Sequence, residues 1–255
     1  MGWLDRSWRL IGTGLAFASL GLGGMVLAAT IFPLISLATR DPVARVRRTQ
    51  YVVHRSFRLY IALLCVTRII DLDLSDIGRL ADCRGCQIVA NHPTLLDVVL
   101  LMALNPRVRC IVKHQLWSNP YLGGVVRAAG YLRNDLPSEM MIRACADALA
   151  EGSNLLVFPE GTRTRPGENG KFQRGFANVA MLTGVELRLA LITCDPITLT
   201  KGEPWWRIPE RRPLFRVSDM GALDANEYMG YQYRAVGARR LVARIEGLYR
   251  DKFTN

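Results

Sequence analysis

Lysine is nearly absent from this 255-residue sequence, with 4 Lys against 29 Arg, and histidine is scarcer still with 3. Three histidines and one lone C-x-x-C, Cys83 and Cys86, fall short of the paired ligand sets that hold zinc, so no metal is expected. The six cysteines (Cys65, Cys83, Cys86, Cys110, Cys145, Cys194) lie scattered in apolar stretches, which excludes a small disulfide-stapled fold and predicts reduced thiols in a cytosolic domain. No G-x-S-x-G occurs, so the nucleophile elbow of serine hydrolases is missing. Internal repeats, low-complexity linkers and basic runs interleaved with aromatics are also missing, and no nucleic-acid partner is expected. Acids are outnumbered, 22 against 33 basic residues, and the formal charge of +11 favours anionic partners.

Charge is missing altogether from Leu10 to Thr39. As a helix this run would be about 45 Å long, more than the ~30 Å hydrocarbon core of a bilayer. Gly12, Gly14, Gly21, Gly23 and Gly24 lower helix propensity and Pro33 bends or ends the helix, so a re-entrant or tilted segment competes with the straight span that the length favours. A cleaved signal peptide fits poorly, because the apolar run continues well past the small residues Ala16-Phe17-Ala18. The flank that follows carries Arg40, Arg45, Arg47, Arg48, Arg55 and Arg58 against Arg6 and Arg9 before it, which places the bulk of the chain on the cytoplasmic side. Residues 43–70 mix these arginines with apolar residues and read either as an interfacial helix or as one packed on a core. The division expected is a membrane-associated helical segment over 1–70 and one folded domain over 71–255.

Within that domain short apolar strands alternate with helices. Strands are expected at 86–90, 109–112, 155–158, 187–193 and 214–217, and helices at 94–104, 120–129, 140–150, 176–182 and 233–249. Such alternation predicts an α/β domain with a mixed, largely parallel sheet flanked by helices.

Where the first of these strands meets its helix stands Asn91-His92-Pro93-Thr94-Leu95-Leu96-Asp97. On one continuous helix, residues five apart diverge by about 140°. His92 and Asp97 can therefore meet only if the histidine sits in the elbow and the aspartate points back to it. In that geometry the carboxylate fixes the imidazole tautomer and leaves the second nitrogen free to take a proton. An imidazole, with an ordinary pKa of ~6.5, suits general-base work near neutral pH. A carboxylate in an otherwise apolar helix is costly without such a partner. Lacking a nucleophile of its own, the pair points to attack by a hydroxyl of the substrate.

A second cluster, Phe158-Pro159-Glu160-Gly161-Thr162-Arg163-Thr164-Arg165, follows another strand, at the edge where α/β sheets bind ligands. Its glycine permits close approach, its hydroxyl and its guanidinium fork can hold phosphate oxygens, and as a bare pattern it equally describes a charged turn.

The H-x-x-x-x-D block followed by E-G-T-R resembles the bacterial lysophospholipid acyltransferases, among them the 1-acylglycerol-3-phosphate acyltransferases, over residues 60–215. The resemblance implies that His92 is the base, that Asp97 orients it, and that Glu160, Gly161, Thr162 and Arg163 bind the acceptor's polar head. It implies a fatty acyl group passed from acyl carrier protein or coenzyme A to a lysophospholipid hydroxyl, without further cofactor, at the cytoplasmic face of the inner membrane. Gly130-Tyr131-Leu132-Arg133-Asn134-Asp135 looks like the family's second block and makes Arg133 a further acceptor-binding candidate. Leu191-Ile192-Thr193-Cys194-Asp195-Pro196 departs from the usual fourth block and leaves other acceptors open, a lyso-ornithine lipid or a glycolipid among them. Lys201 can also reach a phosphate or stand as a plain surface lysine. From another class, a non-catalytic protein binding anionic lipid through its arginines would share this charge. Oligomeric state is not legible.

Overall fold

The structure, a computed structural model, describes residues 2–164 and 171–254, so Arg165 lies outside the described residues. The apolar N-terminus forms one helix, α1 (Gly2–Ala29), which its glycines do not interrupt. They make room for contact instead. A Cβ at Gly12 would stand 2.7 Å from Ile69, and one at Gly14 would stand 3.2 Å from the Trp205 ring. Farther along, Gly24 faces the Tyr121 carbonyl, and Ala28 meets Gly124, where an added Cβ would lie 2.4 Å from the alanine's own. The helix forms despite the roughly 1 kcal/mol that each glycine costs, with close packing at Gly12, Gly14 and Gly24 to set against it and nothing within 4 Å of Gly23. Pro33 brings no N–H to the helical ladder, and the chain bends at Thr30 before α2 (Ile31–Ala38). Among the described residues, Trp3–Ala38 is the one stretch long and apolar enough to cross a membrane.

Asp41 caps the next helix, α3 (Pro42–Val66), by accepting from the amides of Val43 at 3.2 Å and Ala44 at 3.0 Å. One face of α3 is buried through Gln50, Val53, His54, Ile61 and Leu64. There the ring of His54 bonds through Nδ1 to the Met102 carbonyl at 2.9 Å, which ties α3 to α4 (Asp97–Leu104). The opposite face exposes Tyr51, Leu59, Leu63 and Val66 beside Arg55 and Arg58. The packed face bears out the reading of a helix seated on the core, and the other face leaves apolar and basic side chains exposed.

Seven strands follow: β1 (Asp71–Asp73), β2 (Gln87–Ala90), β3 (Val108–Val112), β4 (Leu132–Arg133), β5 (Asn154–Val157), β6 (Glu186–Asp195) and β7 (Leu214–Asp224). They form one sheet in the order β1-β7-β6-β2-β5-β3-β4, antiparallel only between β6 and β7. Side chains alternate across it. Ile88 and Ala90 of β2 enter the core beneath α3 and α4, whereas Val89 enters the core beneath α8 (Gly175–Thr183) and α9 (Arg234–Thr254). The sheet is thus covered on both faces, as a largely parallel sheet requires.

Among the expected elements the helix over 140–150 is α7 (Ser138–Ala150) and that over 233–249 runs on to Thr254 in α9, while a short α5 (His114–Trp117) is added. The helix expected over 120–129 is shortened to α6 (Gly123–Ala128), because the Asn119 side chain takes the amides of Tyr121 and Leu122 at 2.9 and 3.0 Å and turns the chain first. The strand expected at 214–217 runs on to Asp224 along β6.

Candidate active site

At the end of β2, Asn91 is buried and pinned to the neighbouring strand. Its side chain donates to the Ile192 carbonyl at 2.8 Å and accepts from the Ile192 amide at 2.7 Å. The chain then turns, and Thr94 and Asp97 close a reciprocal set of hydrogen bonds. Asp97 accepts from the Thr94 amide at 2.7 Å and from its hydroxyl at 2.5 Å, while the Leu96 amide donates to that hydroxyl at 3.2 Å. The set resembles a capping box, with the acid three residues past the threonine, but it closes a turn ahead of the helix. It corrects the helix expected from Thr94: residues 94–96 form the capping turn, and regular helix begins at Asp97.

The same carboxylate accepts from His92 Nδ1 at 2.8 Å. Asp97 is fully buried, whereas the His92 side chain keeps 16% of its surface exposed. One imidazole nitrogen is therefore committed to the acid and Nε2 is left as the free edge. Phe158 stacks on the ring, with centroids 4.1 Å apart and planes 24° from parallel, and fixes its tilt. Burial pushes the Asp97 carboxyl above the usual range, and the bonds from His92 and Thr94 pull it back toward the carboxylate form.

The second cluster lies at the end of β5, the parallel neighbour of β2. Glu160 accepts the His92 amide at 3.2 Å, and the His92 carbonyl accepts the Thr164 amide at 3.0 Å, so this turn holds the histidine backbone from both sides. Gly161 sits at φ +68°, the left-handed region that favours glycine. Thr162 is half-buried beside it. Arg163 donates through Nη1 to the carbonyls of Leu199 and Thr200 at 3.0 and 3.2 Å.

Burial also holds the Glu160 carboxyl above its ordinary range, against hydrogen bonds from Thr164 and the His92 amide. A carboxyl raised in the fold binds its proton more tightly there than in the unfolded chain, so its contribution to stability falls as pH rises. The stability difference between wild type and Glu160→Gln, read by thermal unfolding in detergent, is expected to shift toward the variant from pH 5 to pH 8. A difference independent of pH would contradict this.

Arg133 stands apart from these residues. It closes the edge strand β4, three strands from β2, which is about 14 Å at ~4.8 Å per strand. Its guanidinium is paired with Asp135 at 2.9 and 2.5 Å and lies 5.8 Å from the Trp117 ring centroid. The structure thus brings His92, Asp97, Glu160, Gly161, Thr162 and Arg163 together and leaves Arg133 on the same sheet edge without contact to them. Asn91, Thr94 and Phe158, which build the histidine's seat, went unread as site residues, although T-x-x-D ahead of an apolar run is a capping signal.

Beside the elbow lies a small cleft of about 30 Å³, partly open to solvent, lined by Ala16, Tyr60, Leu64, Leu96, Leu199 and Phe215 among others. Leu96 adjoins Asp97 in sequence, and the Leu199 carbonyl is the one that holds Arg163. The cleft therefore lies between α1 and the residues that follow the elbow, and neither His92 nor Asp97 lines it.

An α/β sheet carrying a carboxylate-backed, partly exposed histidine at its C-terminal edge is the class that fold and site define. Residues 76–193 match the family model for acyltransferases. A lyso-ornithine lipid O-acyltransferase of Pseudomonas aeruginosa is 34% identical over 191 residues, covering 74% of this chain and 66% of that protein. The 1-acyl-sn-glycerol-3-phosphate acyltransferase of Helicobacter pylori is 32% identical over 112 residues, 42% of this chain and 47% of its own length. A chloroplastic 1-acyl-sn-glycerol-3-phosphate acyltransferase of Arabidopsis thaliana is 33% identical over 101 residues, 38% of this chain and 28% of its own length. Against the latter two, this chain spans less than half the length of the relative. The crystal structure of a 1-acyl-sn-glycerophosphate acyltransferase from Thermotoga maritima shares the fold, with a TM-score of 0.71 at 20% identity over 97% of this chain and 98% of that one. These matches support an acyltransferase like those of the lysophospholipid acyltransferase family.

Proposed function

We propose that this protein is a membrane-associated acyltransferase that moves a fatty acyl group from acyl carrier protein or coenzyme A onto the hydroxyl of lysophosphatidic acid. The observation that carries the reading is the 2.8 Å bond between a wholly buried Asp97 and Nδ1 of a His92 side chain that stays partly exposed. The acceptor hydroxyl gives its proton to His92 Nε2 as its oxygen attacks the thioester carbonyl. Collapse of the intermediate breaks the carbon–sulfur bond, and the proton passes to the departing thiolate. Backbone amides stabilise the oxyanion, and neither a metal nor a covalent acyl-enzyme takes part. Glu160 holds the base in place through its amide, while the Arg163 nitrogens beyond Nη1 turn toward the acceptor's phosphate. The mostly apolar lining of the cleft suits an acyl chain that enters as the site opens to lipid.

On this reading Arg163→Ala is expected to raise the KM for lysophosphatidic acid about tenfold, as loss of a charge-assisted contact does, with a smaller change in kcat. Steady-state rates at varied acceptor check it, and an unchanged KM would remove Arg163 from the acceptor site.

The membrane reading takes a specific form. Near one end of α1, Arg9 bonds to the carbonyls at 209–211, and near the other Ala28 meets Gly124 of the folded domain. These points are about 28 Å apart along the helix. A helix held along the domain over that length supports partial insertion beside the domain in preference to a perpendicular span.

A second acceptor is favoured by one observation, the 191-residue likeness to a lyso-ornithine lipid acyltransferase. Mass spectrometry of lipids after incubation with defined lysolipids and each acyl carrier decides between them. Phosphatidic acid from lysophosphatidic acid supports the first reading, ornithine lipid from its lyso form supports the second, and no acylated product with either would end both.

A further inference from the structure

The loop between β6 and β7 carries two adjacent tryptophans that face outward, Trp205 at 41% exposure and Trp206 at 59%. Large aromatic side chains left in solvent are costly, and a pair of them needs a reason. The loop is built onto α1. Arg9, only 1% exposed, donates to the carbonyls of Pro209, Glu210 and Arg211 at 2.9, 2.9 and 3.0 Å and to Asp5 at 3.0 Å. The Trp205 ring lies 6.1 Å from that of Phe17 and fills the space that Gly14 leaves, and Trp206 meets it edge-on at 5.7 Å. Helix and loop are therefore held together, and each exposes apolar side chains, Trp8, Ile11 and Leu15 on α1 and Trp206 on the loop.

The flanks suit one occupant. Lys201, Arg207 and Arg211 are exposed around the indoles. Arg207 reaches a largely buried Glu203 at 3.3 Å, Arg211 reaches Asp195 at 3.7 Å in a pair exposed on both sides and worth little in water, and Glu210 is the one exposed acid of the loop. Indoles ringed by basic residues match the border of a bilayer, where rings settle at the headgroup level and cations meet phosphate.

We propose that residues 201–211 form a second membrane contact, in which Trp206 enters the headgroup region of an anionic phospholipid bilayer alongside α1. Arg9 acts here as a positioning residue, holding the loop at the depth of the helix. The inference rests on the membrane association proposed above and adds a named surface to it. It also sets the cleft, whose wall includes Ile208 and Pro209 of this loop, at the level from which a lysolipid enters.

Full-length protein bound to phosphatidylethanolamine–phosphatidylglycerol vesicles with brominated acyl chains provides the test. Bromine quenches nearby indoles, and the difference between wild type and Trp206→Phe isolates the signal of Trp206. That signal is expected to be quenched, and Trp206→Ser is expected to weaken vesicle partitioning about tenfold, the order that loss of one interfacial tryptophan brings. Activity toward a short-chain acceptor in detergent should stay unchanged, because Trp206 touches neither His92 nor Asp97. If the remaining tryptophans are quenched on vesicles and Trp206 is not, the loop proposal is overturned while the membrane reading stands. If the protein does not bind vesicles at all, both fall.

Discussion

Replacing His92 with alanine is expected to lower acyl transfer to lysophosphatidic acid by about a hundredfold to ten-thousandfold, the range that a positioned general base contributes. The loss should appear in kcat, because the imidazole acts on a proton in flight and not on the bound headgroup. The fold should survive. The bonds that seat residue 92, from its amide to Glu160 and from the Thr164 amide to its carbonyl, belong to the backbone and remain after truncation. The side chain gives up only its stacking on Phe158 and its bond to Asp97. Initial rates with acyl carrier protein thioester, read beside a thermal unfolding curve, check both halves. Full activity in a folded His92→Ala protein would remove the base from the mechanism.

Asp97→Asn carries the second large effect and separates orientation from folding. Asp97 Oδ2 accepts from both His92 Nδ1 and the Thr94 amide, so an asparagine whose amide group takes that place keeps the bond from the Thr94 hydroxyl on its carbonyl and gives up the one from the Thr94 amide. Its amide group then faces His92 Nδ1, which must accept in place of donating. The ring proton moves to Nε2, the nitrogen that would have taken the proton of the hydroxyl. A wrong tautomer of this kind costs about ten-thousandfold in the serine protease triad, and a loss of at least about a hundredfold is expected here. Stability should not fall in parallel, because the substitution removes a charge that burial already disfavours. Wild-type rates in Asp97→Asn would show that the carboxylate serves the cap alone.

Much of the site was legible because its chemistry is local. His92 and Asp97 lie five residues apart, and helical geometry alone required the elbow that the structure contains. The E-G-T-R turn was legible as a cluster, though not its grip on the His92 backbone, since that contact spans 68 residues and depends on β2 and β5 being neighbours. Arg133 shows the limit from the other side. A basic residue at the end of a strand looks the same in sequence whether it faces a ligand or an acid two residues on, and only the fold pairs it with Asp135. The central strands were legible as short apolar runs. β1 was not, because Asp71-Leu72-Asp73 is a half-buried edge strand with little apolar pattern, and the later part of β7 is equally polar. The glycines of α1 were read by propensity, a local quantity, whereas their use is tertiary, as the close approach of Ala28 to Gly124 illustrates.

His92 and Asp97 are held to act as one device, and the double variant His92→Ala/Asp97→Asn tests that most directly. Measured as kcat/KM against the two single variants, it should be no slower than His92→Ala alone, because an acid that orients a ring has nothing to orient once the ring is gone. Losses that multiply, with the double variant slower than His92→Ala by the full factor that Asp97→Asn costs in the wild type, would contradict the account and give Asp97 a separate task.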